Sequence, residues 1–242
     1  VEAINMSFRI PVCAIVIVVA ITLTSCAQTT ALKHMEKVPQ SLSGKRVLLM
    51  PPDIELSELT VGGMLEPKAD WTDLAQKHVA SALQREMDRR KTALSQYQQG
   101  GQNPSKEEKY NQIIKLHEAV GNAILLHKYG IGLLALPSKK DKFDWGMGEG
   151  VNILREDFGA DYGLFIFFRD SYASAGRKTM MVVAAVAGIS VPLGRQQGFV
   201  SLVDLRTGDI VWFNHQVRGT GDLREGEAAL QSIQNLLADF PQ

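Results

Sequence analysis

Thiol groups are absent from almost the whole chain. Its only two cysteines, Cys13 and Cys26, both lie near the amino terminus of a sequence of 242 residues. Disulfides, zinc sites built on cysteine and cysteine nucleophiles are therefore excluded from everything that follows Cys26. What folds after that point must be held together by its apolar core and its hydrogen bonds.

The chain also lacks an excess of charge of either sign. Its 26 Lys and Arg residues balance its 26 Asp and Glu residues, so the formal net charge is zero. Proteins that bind nucleic acids usually carry a basic excess, and we therefore expect no nucleic-acid partner. With 45% hydrophobic and 21% charged residues, the composition is that of an ordinary globular protein, long enough for one domain.

Familiar catalytic motifs are missing as well. The sequence contains no Gly-x-Ser-x-Gly nucleophile motif and no phosphate-binding loop. Its histidines form no His-x-x-x-His pair, so we expect no metal site and interpret them as surface or helix-face residues. They are His34, His78, His117, His127 and His215. The sequence predicts a non-enzymatic protein without a cofactor. The alternative is a periplasmic hydrolase whose residues only the fold brings together.

Two weaker patterns have a structural and a chemical interpretation. The glycine-rich segment Gly146–Gly150 opens a helix and could bind an anion, but no strand directly precedes it, which favours a turn. Asp204 and Asp209 flank a predicted hairpin turn and could act as an acid–base pair. More simply, Asp204 accepts hydrogen bonds from the amides of Thr207 and Gly208. We also expect Gly208 to adopt a positive φ.

The first residues have the pattern of an export signal. One positive charge, Arg9, follows Met6, and the nearly uncharged run Ile10–Leu23 comes next. About fourteen apolar residues are too few for a membrane-spanning helix, which needs about twenty, but they are typical of a signal-peptide core. We therefore predict that residues 1–25 are a signal peptide, with Met6 as the true start.

The end of that segment, Leu23-Thr24-Ser25-Cys26, resembles the lipobox of bacterial lipoproteins. A peptidase needs small residues beside the bond that it cleaves, and a thiol is required for the thioether to diacylglycerol. The resemblance implies that Cys26 carries palmitate-type acyl chains, and Ala27 in place of aspartate favours the periplasmic face of the outer membrane. Two or three acyl chains give stable anchoring. The alternative is an uncleaved anchor or an ordinary signal with a chance cysteine.

The rest of the chain predicts a tether and one domain. Residues 26–44 are polar and are predicted to be a lipid-anchored tether, and residues 45–242 a periplasmic α/β domain with a mixed sheet flanked by helices. Asp53–Ala69 is predicted to be a loop. The predicted strands are Arg46–Met50, Tyr162–Phe168, Phe199–Leu205 and Ile210–Asn214, the last two forming a hairpin. The predicted helices are Asp70–Arg90, one capped by Ser105, Gly150–Phe158, and a last one capped by Asp222.

Two segments resemble a group of envelope lipoproteins. They are Gly159–Tyr162, which leads into an apolar strand, and Ser201–Trp212, which contains the hairpin. The group includes the curli secretion-channel subunit, lipoprotein activators of penicillin-binding proteins, and the amino-terminal domain of the Tol β-propeller protein. The resemblance implies an accessory or scaffold factor for export or cell-wall synthesis, with an envelope protein partner or a homo-oligomer. The alternative function is a ring-forming subunit of a secretion channel.

The segment Thr179–Leu193 contains fifteen residues without a charge, between Lys178 and Arg195. It could extend the sheet or cover it as a buried helix, form a surface that binds membrane or a partner, or form a pore-forming hairpin of the curli-channel kind. A strand that spans a barrel should alternate apolar and polar residues, and this segment does not. We expect it to be buried beside the last hairpin, so that Val183→Asp or Val186→Asp would cost several kcal/mol.

The lipobox leads to a first prediction. Cys26→Ser removes the only thiol that can form the thioether, so the variant should incorporate no fatty-acid analogue and disappear from the outer-membrane fraction. Cys13→Ser, within the signal peptide, is the matched control and should be labelled like the wild type. Equal labelling of the Cys26 variant would show that the motif is a chance occurrence.

Overall fold

The structure of the chain is a computed structural model. It describes residues 28–33, 41–90, 94–97, 104–129, 134–139, 142–219 and 221–241, with only the backbone of 28–33 considered. The predicted signal peptide, the lipobox and the acylation site Cys26 lie outside the described residues. The cleavage and acylation of this segment therefore stay predictions.

One mixed sheet of eight strands forms the centre of the described fold. The strands are β1 (Gln28–Lys33), β2 (Val47–Leu49), β3 (Asp53–Leu59), β4 (Leu65–Pro67), β5 (Leu94–Gln96), β6 (Tyr162–Ala173), β7 (Gly194–Asp204) and β8 (Ile210–Arg218). The order β1-β8-β7-β6-β2-β5 is antiparallel from β1 to β6 and parallel from β6 to β5. β3 runs parallel to the second half of β6 and forms a hairpin with β4. The predicted mixed α/β fold is confirmed.

Five α-helices accompany the sheet in the described ranges. They are α1 (Ala69–Arg90), α2 (Glu107–Lys128), α3 (Asn152–Phe158), α4 (Ala175–Val186) and α5 (Gly226–Leu236). α1 and α5 cover one face of the sheet, and α2 and α3 cover the other. β6 shows why both faces are apolar: Leu164 and Ile166 point into the first core, and Phe165 and Phe167 into the second.

The expected loop Asp53–Ala69 is wrong, because β3 and β4 occupy most of it. Ile54 and Leu56 are buried while Glu55 between them is exposed, which is the period-two pattern of a strand. The glycines of this segment mark only the hairpin turn, where Gly63 has φ +86°. β6 also continues beyond its predicted end to Ala173, since β3 offers it a further parallel partner.

Part of the predicted tether belongs to the sheet. Within residues 26–44, Gln28–Lys33 forms β1 and pairs antiparallel with β8, with Gln28 opposite Val217 and Lys33 opposite Trp212. Strand pairing uses backbone groups, so a polar segment can complete an edge without apolar residues. The predicted tether over residues 26–44 is therefore corrected at Gln28–Lys33, because that prediction rested on polar composition alone.

The three predicted helix caps are also corrected. Asp70 lies within the first turn of α1, and Lys106 occupies the cap position of α2 without a side-chain capping bond. Asp222 precedes α5 by several residues, and its carboxylate instead accepts hydrogen bonds from the backbone and side chain of Arg224. A short 3-10 turn at Pro104–Lys106 takes the place predicted for a cap at Ser105. In contrast, the predicted end of a helix at Phe158 is confirmed, where Gly159 closes α3 in the left-handed conformation.

The hairpin glycine gives a second prediction. Gly208 has φ +77°, as expected, and a Cβ at this position would overlap the carbonyl oxygen of Gly148. Gly44 has nearly the same φ, +74°, but open space around it. Gly44→Ala should cost about 1 kcal/mol of stability through φ strain alone, and Gly208→Ala at least about 1 kcal/mol more. Urea denaturation of both variants measures the difference. Equal losses would contradict close packing of Gly148 on the turn.

Candidate functional site

The glycine-rich segment packs as a turn against the last hairpin. Gly146 pairs with Asp209 in an isolated bridge, and the amide of Met147 donates to the carbonyl oxygen of Gly208 at 2.7 Å. The side chain of Met147 is buried in the second core. This segment therefore holds the hairpin turn in place, which supports the interpretation as a turn.

The two aspartates of the hairpin have structural partners. The Asp204 carboxylate accepts from the amide of Arg206 at 2.8 Å, while its backbone carbonyl accepts from the amide of Gly208 at 2.8 Å. Asp209 accepts from the hydroxyl of Thr207 at 2.6 Å. Asp204 therefore has a structural role in the turn, but the predicted partners of its carboxylate need correction: it accepts from the amide of Arg206, and the amide of Gly208 reaches only its backbone carbonyl.

His117 lies on a helix face, as expected, but that face of α2 is buried. It is only 1% exposed, lies against the rings of Phe165 and Phe199, and its Nε2 is 2.8 Å from the hydroxyl of Ser201. Burial lowers the pKa of His117 to about 3, so the ring is neutral. Its spacing from Ile113 and Gly121 could have indicated the buried face of α2. No cluster that could hold a metal ion occurs among the described side chains.

The uncharged segment forms α4 and the loop that follows it, between β6 and β7. Ser174 caps α4 by accepting from the amide of Arg177 at 3.2 Å. The Arg177 guanidinium donates to the carbonyl oxygens of Pro192 at 2.9 Å and Thr60 at 3.2 Å. One buried cation thus connects the start of α4, the end of its loop and the β3–β4 turn. No residue of α4 belongs to either described core cluster.

The expected burial of Thr179–Leu193 is wrong. Val183 is 68% exposed and Val186 is 90% exposed, and Val182 lies on the same side of the helix. The reason is that both sheet faces are already covered and β6 and β7 are paired on both edges, so α4 finds no apolar surface left to cover. The first half of the segment is helical and not extended, which contradicts the hairpin alternative in this structure and favours an interaction surface.

Other exposed apolar side chains adjoin α4. Val61, in the β3–β4 turn, touches it: a Cβ on Gly176 would lie 2.8 Å from Cγ2 of Val61. We call this region the end surface. It comprises Val61, Met64, Leu65, Val182, Val183, Val186, Ile189 and Leu193, all of them exposed. Contiguous exposed apolar patches mark interaction sites on soluble domains.

A polar cavity of about 220 Å³ adjoins the end surface. Leu193 and the exposed cations Lys178 and Arg195 line its outer part. Deeper residues include Asp170 and Asp222. The apolar surface therefore has a cationic rim on this side.

A buried hydrogen-bond network forms the floor of that cavity. Asp170 is 4% exposed. One of its carboxylate oxygens accepts from the side-chain amide of Gln196 at 2.7 Å and from the hydroxyl of Tyr172. The Tyr172 oxygen in turn accepts from the amide of Leu223 at 2.8 Å. Desolvation raises the pKa of Asp170 to about 6, although these hydrogen bonds oppose the shift. Arg224 stacks over the Tyr172 ring at 3.8 Å.

The end surface lies at the same end of the sheet as the start of β1. Gln28 is opposite Val217, Val217 is opposite Gln197, and Gln197 is opposite Arg169. The start of β1 is therefore level with the last part of β6, which leads into α4. No described helix is long and apolar enough to cross a membrane.

Comparisons with known proteins give only a weak structural similarity. No protein-family model and no curated protein matches this chain. Among solved structures, it is similar to a PelC dodecamer from Paraburkholderia phytofirmans, with a TM-score of 0.38, and to a single-substitution variant of it, with 0.35. Each match has 10% identity and covers 88% of this chain and 96% of the other. Similarity at this level carries no argument about function. The resemblance to the curli, penicillin-binding-protein and Tol groups stays a prediction.

The Asp170 network gives a third prediction. Its folded-state pKa of about 6 lies above the unfolded value of about 3.9, so the folded state holds the proton more tightly. The contribution of Asp170 to stability is present below pH 4 and lost as the pH rises to 6. Asp170→Asn keeps an oxygen that accepts from Gln196 and Tyr172, and should stabilise the domain at pH 7 by on the order of 2 kcal/mol.

The measurement is urea denaturation of wild type and variant from pH 4 to 7, because their difference isolates Asp170 from other titrating groups. Asp222→Asn is the control: burial alone would raise the pKa of Asp222, but the side chain and amide of Arg224 lower it. This variant should lose stability at pH 7. A pH-independent difference between wild type and Asp170→Asn would show that Asp170 does not titrate in this range.

Proposed function

We propose that this protein is a non-enzymatic lipoprotein, anchored at the periplasmic face of the outer membrane through Cys26, that serves as an accessory factor of an envelope assembly. The observation that carries the proposal is the end surface. Its apolar side chains are left uncovered by both cores, and it lies at the end of the sheet where the chain arrives from the predicted lipid anchor.

The chemistry of the polar groups supports an accessory role. His117 is neutral and enclosed by aromatic rings, and Asp204 and Asp209 are engaged in the hairpin turn. Asp170 is held by Gln196 and Tyr172. Each of these candidate acids and bases therefore has a structural task in the fold, whereas the end surface has no partner within the described part of the chain.

The fourth prediction tests this function. The full-length protein, carrying a carboxyl-terminal tag, is crosslinked in intact cells and purified from detergent-solubilised membranes. We expect it in the outer-membrane fraction, together with another envelope protein in near-stoichiometric amount. The unacylated Cys26→Ser variant should be absent from the outer-membrane fraction and should not co-purify with the envelope protein, because it is no longer held beside its partner.

Two outcomes would contradict the proposal. Recovery of the protein alone, as a monomer, would contradict the proposed accessory role. Recovery of the protein alone as one large particle on sedimentation would establish the alternative, a ring-forming subunit. The control is Leu126→Asp, an exposed apolar position on α2 that is not part of the end surface, which should behave like the wild type.

A further inference from the structure

We propose that the end surface lies in the interfacial region of the membrane that holds the acyl chains of Cys26, with Lys178 and Arg195 contacting anionic lipid headgroups. This inference rests on the proposed lipid anchoring and names the partner of the end surface. The membrane contact would be a second attachment point that fixes how the domain is oriented.

The side chains of the end surface have the arrangement of an interfacial helix. Val182, Val183 and Val186 form an apolar stripe on the outer side of α4, and Ile189 and Leu193 continue it in the loop. Helices that lie in a membrane interface bury such a face about 5–10 Å deep among headgroups and acyl chains. With twelve residues, α4 is too short to span a bilayer but can lie on one.

The strand register places the start of β1 at the same end of the sheet as this surface. The start of β1 is level with Arg169, and β6 continues for four more residues, to Ala173. That difference is about 13 Å along the strand, and the lateral separation of β1 from β6 is three strand spacings, about 14 Å. Cys26 precedes Gln28 by two residues, which can span about 7 Å. A membrane that holds the acyl chains is thus within reach of the end surface.

The charges at the rim favour a lipid surface. Lys178 and Arg195 are exposed, line the same cavity, and form no ion pair with any residue in the ranges that the structure describes. Neither carboxylate of that cavity competes with the lipid for these cations. Asp222 pairs with Arg224 at 2.6 Å, and Asp170 is buried in its hydrogen-bond network. Long cationic side chains beside an apolar surface can bury their stems and reach anionic headgroups.

The end surface is also held rigidly. The buried Arg177 guanidinium bonds to Thr60 in the β3–β4 turn and to Pro192 in the loop after α4. These two bonds fix the three segments of the end surface relative to each other. Less conformational entropy is therefore lost when the whole surface enters the interface at once.

The fifth prediction uses the chain from Ala27 onward, which contains every described residue but neither an acyl chain nor a thiol. It is tested by flotation with vesicles of phosphatidylcholine, with or without phosphatidylglycerol. The wild type should float with both, and more with the anionic vesicles. Val183→Asp combined with Val186→Asp should weaken binding to both by about tenfold or more. Lys178→Gln combined with Arg195→Gln should remove only the anionic enhancement, which salt should also screen.

Leu126→Asp is the matched control and should float like the wild type. Because Val183 and Val186 are exposed, the double aspartate variant should also melt like the wild type. A second measurement avoids aspartate altogether. A polarity-sensitive fluorophore on Val186→Cys should shift to the blue with vesicles, whereas one on Arg206→Cys, at the opposite end of the sheet, should not.

Several results would overturn the inference. They are no flotation of the wild type, unchanged flotation of the double valine variant, or equal fluorophore shifts at both ends of the sheet. If the wild type instead self-associates in sedimentation and the valine variant does not, the end surface is an interface between copies. Failure of the proposed function would appear separately, as loss of acylation or of the co-purified partner in cells.

Discussion

β6 is the strand on which the rest of the structure depends. It is paired with β7 from Tyr162 to Tyr172 on one side, and first with β2 and then with β3 on the other. Both its faces are buried, Leu164 and Ile166 against α1 and α5, and Phe165 and Phe167 against α2 and α3. A strand so enclosed leaves no edge and no face for another element. Whatever follows it in the chain must leave the core, and α4 does so.

The strength of each sequence signal decided which parts of the fold could be predicted. Long apolar runs identified β2, β6 and the last hairpin, and helical spacing identified α1 and α2. β3 was missed although its apolar residues Ile54 and Leu56 alternate with polar ones. β1 and β5 were missed because their residues are mostly polar or their strands very short. Such strands are stabilised by backbone pairing with a sheet that already exists. That information lies in distant parts of the chain and not in the strand's own sequence.

The candidate site shows the same limit more sharply. The uncharged composition of Thr179–Leu193 singled out the segment, but composition cannot tell whether a core is available to cover it. Burial was expected because fifteen uncharged, mostly apolar residues are usually covered within their own domain. The sheet had already been covered by other helices. The burial of Asp170 was missed because a polar residue in an apolar strand gives no periodic signal of its own. The burial of His117 could have been inferred from its helical spacing to Ile113 and Gly121.

The buried polar residue Asp170 and the exposed apolar residues Val183 and Val186 have a common interpretation. A domain that buries Asp170 without a cation as direct partner gives up stability near neutral pH, and one that exposes Val183 and Val186 gives up solubility. Both costs fall at the same end of the sheet, around the cavity between β6, β7 and Arg224. Local losses of stability or solubility are typical of functional surfaces. In the hairpin at the opposite end, Asp204, Gly208 and Asp209 all serve the turn. The asymmetry between the two ends supports the proposal that the interaction takes place at the end of the sheet where β1 begins.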